Sequence, residues 1–452
     1  MRFALHLLTL LLGLSATAQQ AHNVRLLCNW SDSTNAPGNG AGQHWNDVWG
    51  FTMHGREYGV IGGTNGLHII DVATCEERAF HPGLAQNVIH RDYKTYRNYL
   101  YAVCDEGFSS LQVFDLSYLP DSIHLVYDRS AELTRAHTIF IDTARARLYA
   151  CSATSRAGVF YNLQIFSLQR PDSPEYVAGL KNAISTHAVY ARNDTVWCSN
   201  AYEGFEIIST KNPTIAPIIG GLISYPDRGY NHSSWIGYDG IGVMADETFG
   251  KQVKVIDASD PEQVEVLSMF SPRGNDTLSI PHNPYLLGRS AIVSYYMDGL
   301  QIYDLTDPRH PVQTGYYNTY LGPRKQDYAG AWGAYPFLPS RKILVSDMQR
   351  GLFVLDATEA LEVKSTANPV LYVTPNPVSS GEPLRVSLPD TWNGKLRLQI
   401  RDVTGRTLTD KLITRTDNAP LQVSLPLEWP GGVYLLQVSS PAGRLTSRII
   451  KR

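Results

Sequence analysis

Five of the thirteen histidines recur in one local setting. They are His90 in VIHRDY, His137 in RAHTIF, His187 in STHAVY, His232 in YNHSSW and His282 in IPHNPY, each followed three positions later by an aromatic residue. Two related segments, DVWGFT and GAWGAY, carry Trp49 and Trp332 in the histidine's place. Imidazole is the commonest protein ligand for transition metals. Several imidazoles brought to one point would suit Zn, Cu, Fe, Ni or Mn, with carboxylates orienting them. The competing reading is structural: each imidazole pins its own loop through a hydrogen bond. Ser199 and Glu203 then partner His187, Asp246 partners His232 and Asp298 partners His282. Both readings stay open, because no HxH or HExxH spacing selects the metal.

The positions 49, 90, 137, 187, 232, 282 and 332 divide the chain into units of 40–50 residues. Each unit carries a short apolar stretch, a second such as RLYACS or KILVSD, an acidic or glycine turn, a third such as LQIYDL, an Asp/Ser–Pro turn, and a fourth. Four short strands per unit, seven times over, predict an all-β seven-bladed β-propeller. The last unit loses its fourth strand after residue 357, and NVRLLCNW (residues 23–30) supplies one. That strand closes the ring and covers an open sheet edge.

In this geometry the five histidines ring the channel mouth on one face, with Asp105, Glu106, Glu203, Asp246, Glu247, Asp298 and Asp347 rimming the same face. Tyr93, Phe140, Tyr190, Trp235, Tyr285 and Tyr335 form a layer beneath. The near-balanced charge, net −3, excludes a nucleic-acid-binding stripe. No nucleophile elbow, P-loop, dinucleotide fingerprint, paired zinc cysteines or EF-hand spacing occurs. The chain holds 5 Cys, an odd number, so at least one thiol is unpaired within it. Cys104, Cys151 and Cys198 sit at equal spacings as repeat equivalents, and Cys28 with Cys75 is the better-placed pair for a bridge.

Residues 1–18 combine one Arg, an apolar run and small residues at Ala16 and Ala18, which predicts a secretory signal. No later run is long enough to span a membrane, so the mature chain is expected without a transmembrane segment. Residues 358–369 read as a linker, and 370–452 as a small Ig-like β-sandwich of short alternating strands.

Segments 48–72, 281–308 and 328–357 resemble the choice-of-anchor B propeller family, whose units are related to LVIVD repeats. The resemblance covers about residues 22–360 and implies an exported propeller, without an established activity. VTPNPV (373–378), IRDVTGR (400–406), WPGGVYLLQV (429–438) and the terminal RIIKR resemble the type IX secretion sorting domain of the Bacteroidetes. That implies export through the periplasm, contact with the type IX machinery and its sorting peptidase, and a place on the cell surface or outside the cell. The favoured reading is a binding or adhesion module that takes a glycan or protein on the propeller face. The alternatives are a metal-dependent enzyme at the His-lined mouth and a structural surface-layer component.

Overall fold

Each of the first five repeat units folds into one four-stranded antiparallel sheet, and the sixth and seventh also take strands from the start of the chain. The computed structural model describes residues 20–38, 42–181, 185–274, 276–362, 371–374, 376–388, 392–416, 419–441 and 443–452. The expected signal segment lies outside the described residues. Blades 1 to 6 begin at Trp45–Met53, Arg91–Tyr96, Thr138–Asp142, Ala188–Arg192, Asn231–Ile236 and Pro284–Leu287, each running on through its next three strands. The first strands of neighbouring blades contact one another and form the inner wall.

The middle strands are apolar nearly throughout because blades bury both faces. Val243 and Val255 of blade 5 pack with Tyr295 and Ala291 of blade 6, and Tyr101 and Val113 of blade 2 with Ile139 and Leu148 of blade 3. At about 25 cal/mol per Å² of apolar area, these shared interfaces dominate the fold's stability.

Blade 7 comprises Ala331–Tyr335, Lys342–Asp347 and Gly351–Asp356, and its fourth strand is Arg25–Trp30 from the start of the chain. Arg25 stands opposite Asp356 in the ladder and bonds its carboxylate at 2.8 Å. A disulfide joins Cys28 in this strand to Cys75 in a turn of blade 1, across the seam. Cys104, Cys151 and Cys198 are buried and free. The chain start does more than expected: Ala21–His22 adds a fifth strand to blade 6 before crossing to blade 7.

The stretch read as linker opens with a helix, Thr358–Glu362. Ala360 is buried against blade 6, where Gly315 leaves it room, since a Cβ there would come within 2.4 Å of the alanine methyl. Residues 363–370 lie outside the described residues.

Further along, Tyr372–Thr374, Pro383–Ser387 and Leu421–Ser424 form one sheet. Gly394–Asp402, Thr407–Arg415, Gly432–Ser440 and Gly443–Lys451 form another. Both contribute to one core, with Leu384 and Val386 from the first and Leu398, Ile400 and Leu436 from the second. The stretches singled out in the sequence meet here. The Asn376 amide donates to Arg448 O and accepts from Ile450 N, and Lys451 Nζ donates to the carbonyls of Pro426, Leu427 and Trp429. No helix among the described residues is long and apolar enough to cross a membrane.

Candidate functional site at the propeller mouth

The inner strands deliver the five histidines to a single closed ring. Successive centroids lie 5.5 Å apart for His90–His137, 4.1 Å for His137–His187, 4.2 Å for His187–His232 and 4.1 Å for His232–His282. Trp332 closes it, 4.9 Å from His282 and 5.3 Å from His90.

Trp49, aligned with the histidines in the repeat, does not stand in the ring. It pairs with Val60 just as Tyr335 pairs with Leu344, which places it one layer lower, 4.8 Å from Tyr335. Three residues earlier stands Asn46, turned against Gly62, whose hydrogen is all that fits there: a Cβ would come within 1.8 Å of Asn46 Oδ1. Blade 1 therefore offers no ring member, and the large Trp332 indole spans the gap. The bulge at Asn46 matches those at His232 and Trp332, so Asn46 is the blade 1 counterpart of the ring residues.

The aromatic layer contains Trp49, Phe140, Tyr190, Trp235, Tyr285 and Tyr335, with Phe337 packed on Trp235. Tyr93 is excluded from it, being buried inside blades 1 and 2. Lys94 takes that place, its Nζ 4.4 Å over the Trp49 ring. Lys94 also donates to Asp92 at 2.6 Å and lies 3.8 Å from Asp47. Asp47 shares a hydrogen bond with Asp92, and burial, with the Asp92 charge next, holds its carboxyl well above the usual range. Between the two tiers lies a cavity of about 90 Å³, lined among others by Asp47, Asp92, Lys94, His232 and Trp235. Sequence reasoning missed this buried trio because it is assembled by strands from two blades.

The rim acids divide into those that face the ring and those that do not. Glu106 Oε1 accepts from His90 Nδ1 at 3.0 Å and from the amides of Ile89 and His90. Asp105 Oδ2 accepts from His137 Nδ1 at 2.7 Å. Glu247 faces the ring, with Oε2 3.0 Å from His232 Nδ1, Oε1 4.0 Å from His282 Nε2, and the Tyr296 hydroxyl donating to Oε1. Its neighbour Asp246 points the other way, into blade 5, where it meets Lys254, Tyr225 and Gly229 N. Engaged inside the blade, Asp246 does not partner His232.

Asp298 binds Arg273, Arg324 and Ser279 rather than His282. Asp347 is buried and caps the backbone amides of Gln349 and Arg350. Glu203 is exposed in its turn, and Ser199 Oγ makes no bond to His187. The acceptor for His187 Nδ1 is instead the main-chain carbonyl of His232, at 3.0 Å, and that for His282 Nδ1 is the carbonyl of Trp332. Each bond ties one blade to the next.

Burial, then the neighbouring histidines, hold His187 well below the usual imidazole range. Burial, then His232, bring His282 down to about 3. Glu247 lies at about 2: burial opposes its charge, and His232 first among its neighbours outweighs that. Neutral imidazoles beside an ionised carboxylate are the protonation states that metal coordination requires. His187, His232 and Glu247 each offer one donor atom, all within 4.8 Å of one another.

Above this cluster the wall is aromatic. Tyr230 packs edge-on to His187 at 5.3 Å and to Tyr202 at 5.1 Å, and Tyr328 packs against Tyr296 at 5.4 Å and Phe249 at 5.5 Å. Tyr202 is 65% exposed and Tyr328 44%. The charge of Glu247 reaches both Tyr230 and Tyr328 and helps burial raise their hydroxyls, Tyr230 to about 12.

No protein-family model and no curated protein matches the chain. Among solved structures it is similar to the computationally designed Ika8 protein, at 10% identity and TM-score 0.45 over 69% of this chain and 82% of that one. It is also similar to the β-propeller domain of Cps50 (Swd1) from Myceliophteria thermophila, at 12% identity and TM-score 0.50 over 74% of this chain and 98% of that one. The second likeness, with the seven blade sheets, shows a β-propeller fold.

Proposed function

We propose that this chain is an exported binding module that takes a neutral glycan at the tyrosine-walled mouth of its propeller. The observation that carries the reading is the pair of exposed rings, Tyr202 and Tyr328, standing beside Tyr230 over the Glu247 carboxylate. Tyrosine presents an apolar face and a polar tip, the combination that a sugar's C–H face and hydroxyls complement. Asp105, Glu106 and Glu247 line the same opening and disfavour anions there. The C-terminal sandwich, with its resemblance to type IX sorting domains, supports delivery by that machinery, cleavage by its peptidase, and a final place at the cell surface or beyond. The Cys28–Cys75 disulfide fits an oxidising compartment.

The test is a glycan array probed with the full mature chain and with a Tyr202→Ala/Tyr328→Ala variant. Binding to neutral glycans that falls about 10-fold in the variant is expected from the loss of about 1.4 kcal/mol. Absence of glycan binding, or equal binding by the variant, overturns the reading.

A further inference from the structure

The ring is chemically uneven, and the unevenness lies at His232. Its Nε2 stands 3.1 Å from Asn283 Oδ1, an acceptor that also receives the Ser233 hydroxyl. That contact places the His232 proton on Nε2. Nδ1 stands 3.0 Å from Glu247 Oε2. An imidazole nitrogen and a carboxylate oxygen at that distance share a cation, either a proton or a metal ion that displaces it. The His232 side chain is 94% buried and its Nδ1 is held against the Glu247 carboxylate.

The neighbours supply further donors in the right form. His187 and His282 spend Nδ1 on the carbonyls of His232 and Trp332, which leaves Nε2 of each as a lone pair. Glu247 is held in place by the Tyr296 hydroxyl. Ligands about 2.1 Å from an ion stand about 3–4 Å apart, and the donor atoms of His187, His232 and Glu247 already lie within 4.8 Å of one another.

From this we propose that His187, His232 and Glu247 bind a divalent first-row transition metal ion, with His282 completing the set. Two imidazoles and a carboxylate are a donor set for Zn²⁺ or Fe²⁺, and Zn²⁺ is the simpler occupant because it imposes no redox requirement. His90 and His137 stand outside the set, each held by its own carboxylate. The site does not depend on the glycan reading: either can fail without the other.

The experiment uses the full mature chain without an affinity tag, stripped with a chelator and titrated with Zn²⁺ by calorimetry. One equivalent is expected to bind. His232→Ala and Glu247→Gln each weaken it at least about 100-fold, whereas Glu106→Gln leaves it unchanged. Glu247→Gln keeps an acceptor for Tyr296, so it reads out the site even where His232→Ala misfolds. Titration with Co²⁺ gives a second signal, a visible d–d band that the Glu247→Gln variant lacks. No Zn²⁺ uptake by a folded wild-type chain, or equal uptake by Glu247→Gln, overturns the proposal.

Discussion

The two arcs of the histidine ring use similar residues to opposite ends. On one arc His90 and His137 are partly exposed, and each has a private carboxylate, Glu106 or Asp105, that fully engages its Nδ1. On the other arc His187, His232 and His282 are buried, two of them hold main-chain carbonyls, and the single carboxylate of Glu247 serves two imidazoles. One acid per imidazole satisfies both partners and makes a pin. One acid shared among several imidazoles leaves lone pairs over, and lone pairs make a ligand set. The residue types alone do not separate these cases; the stoichiometry of acceptors to donors does.

The sharpest way to break this contrast is to loosen the shared acid without removing it. Tyr296→Phe deletes the hydroxyl that positions Glu247 and is expected to weaken Zn²⁺ binding about 10–100-fold, read by calorimetry, with little change in melting temperature. An unchanged affinity would show that Glu247 needs no such support. On the opposite arc, Glu106→Ala removes the acceptor of three donors. It is expected to cost about 1–2 kcal/mol by chemical denaturation and to leave Zn²⁺ binding untouched. Metal loss in that variant would erase the distinction between the arcs. Asp105→Asn keeps an acceptor for His137 and should cost less, about 0.5–1 kcal/mol.

The smallest effect tests the tier below. The folded protein holds the Asp47 proton more tightly than the unfolded chain, whose ordinary value is 3.8. Wild-type stability therefore falls as pH rises above that value toward the folded one. Asp47→Asn keeps a donor toward Asp92 and does not titrate, so its melting temperature should gain on wild type as pH rises from 4 to 8. Parallel melting curves across that range would place the proton elsewhere.

The repeat was legible because strand signals recur every 40–50 residues, and the inner position of His90, His137, His187, His232 and His282 follows from that period alone. Finer placement was not, because period-2 alternation turns a one-residue slip into a change of face. Trp49 aligns with Tyr335 rather than with Trp332, and Lys94 rather than Tyr93 fills the corresponding place in blade 2. Asp246 and Glu247 are neighbours in sequence, yet one locks Lys254 inside a blade and the other faces the ring. Nor does any local pattern announce Ala21–His22 as a fifth strand of blade 6, since its partner lies almost 300 residues away. Asp47, Asp92 and Lys94 come from two blades with no shared motif, and only the closed ring makes them neighbours.

The seam has a consequence for synthesis. Arg25 and Asp356 are 331 residues apart, so the last blade is incomplete until nearly the whole propeller has left the ribosome. Loop closure over such a length is costly and slow when the early strand is free to wander. Cys28 and Cys75 are only 47 residues apart, and Cys75 belongs to blade 1, the neighbour that blade 7 must reach. Once that bond forms, the first strand waits beside its eventual partner, and a chain-length search becomes a local docking step. The redox state of the compartment in which the chain folds would then set how soon the circle can close.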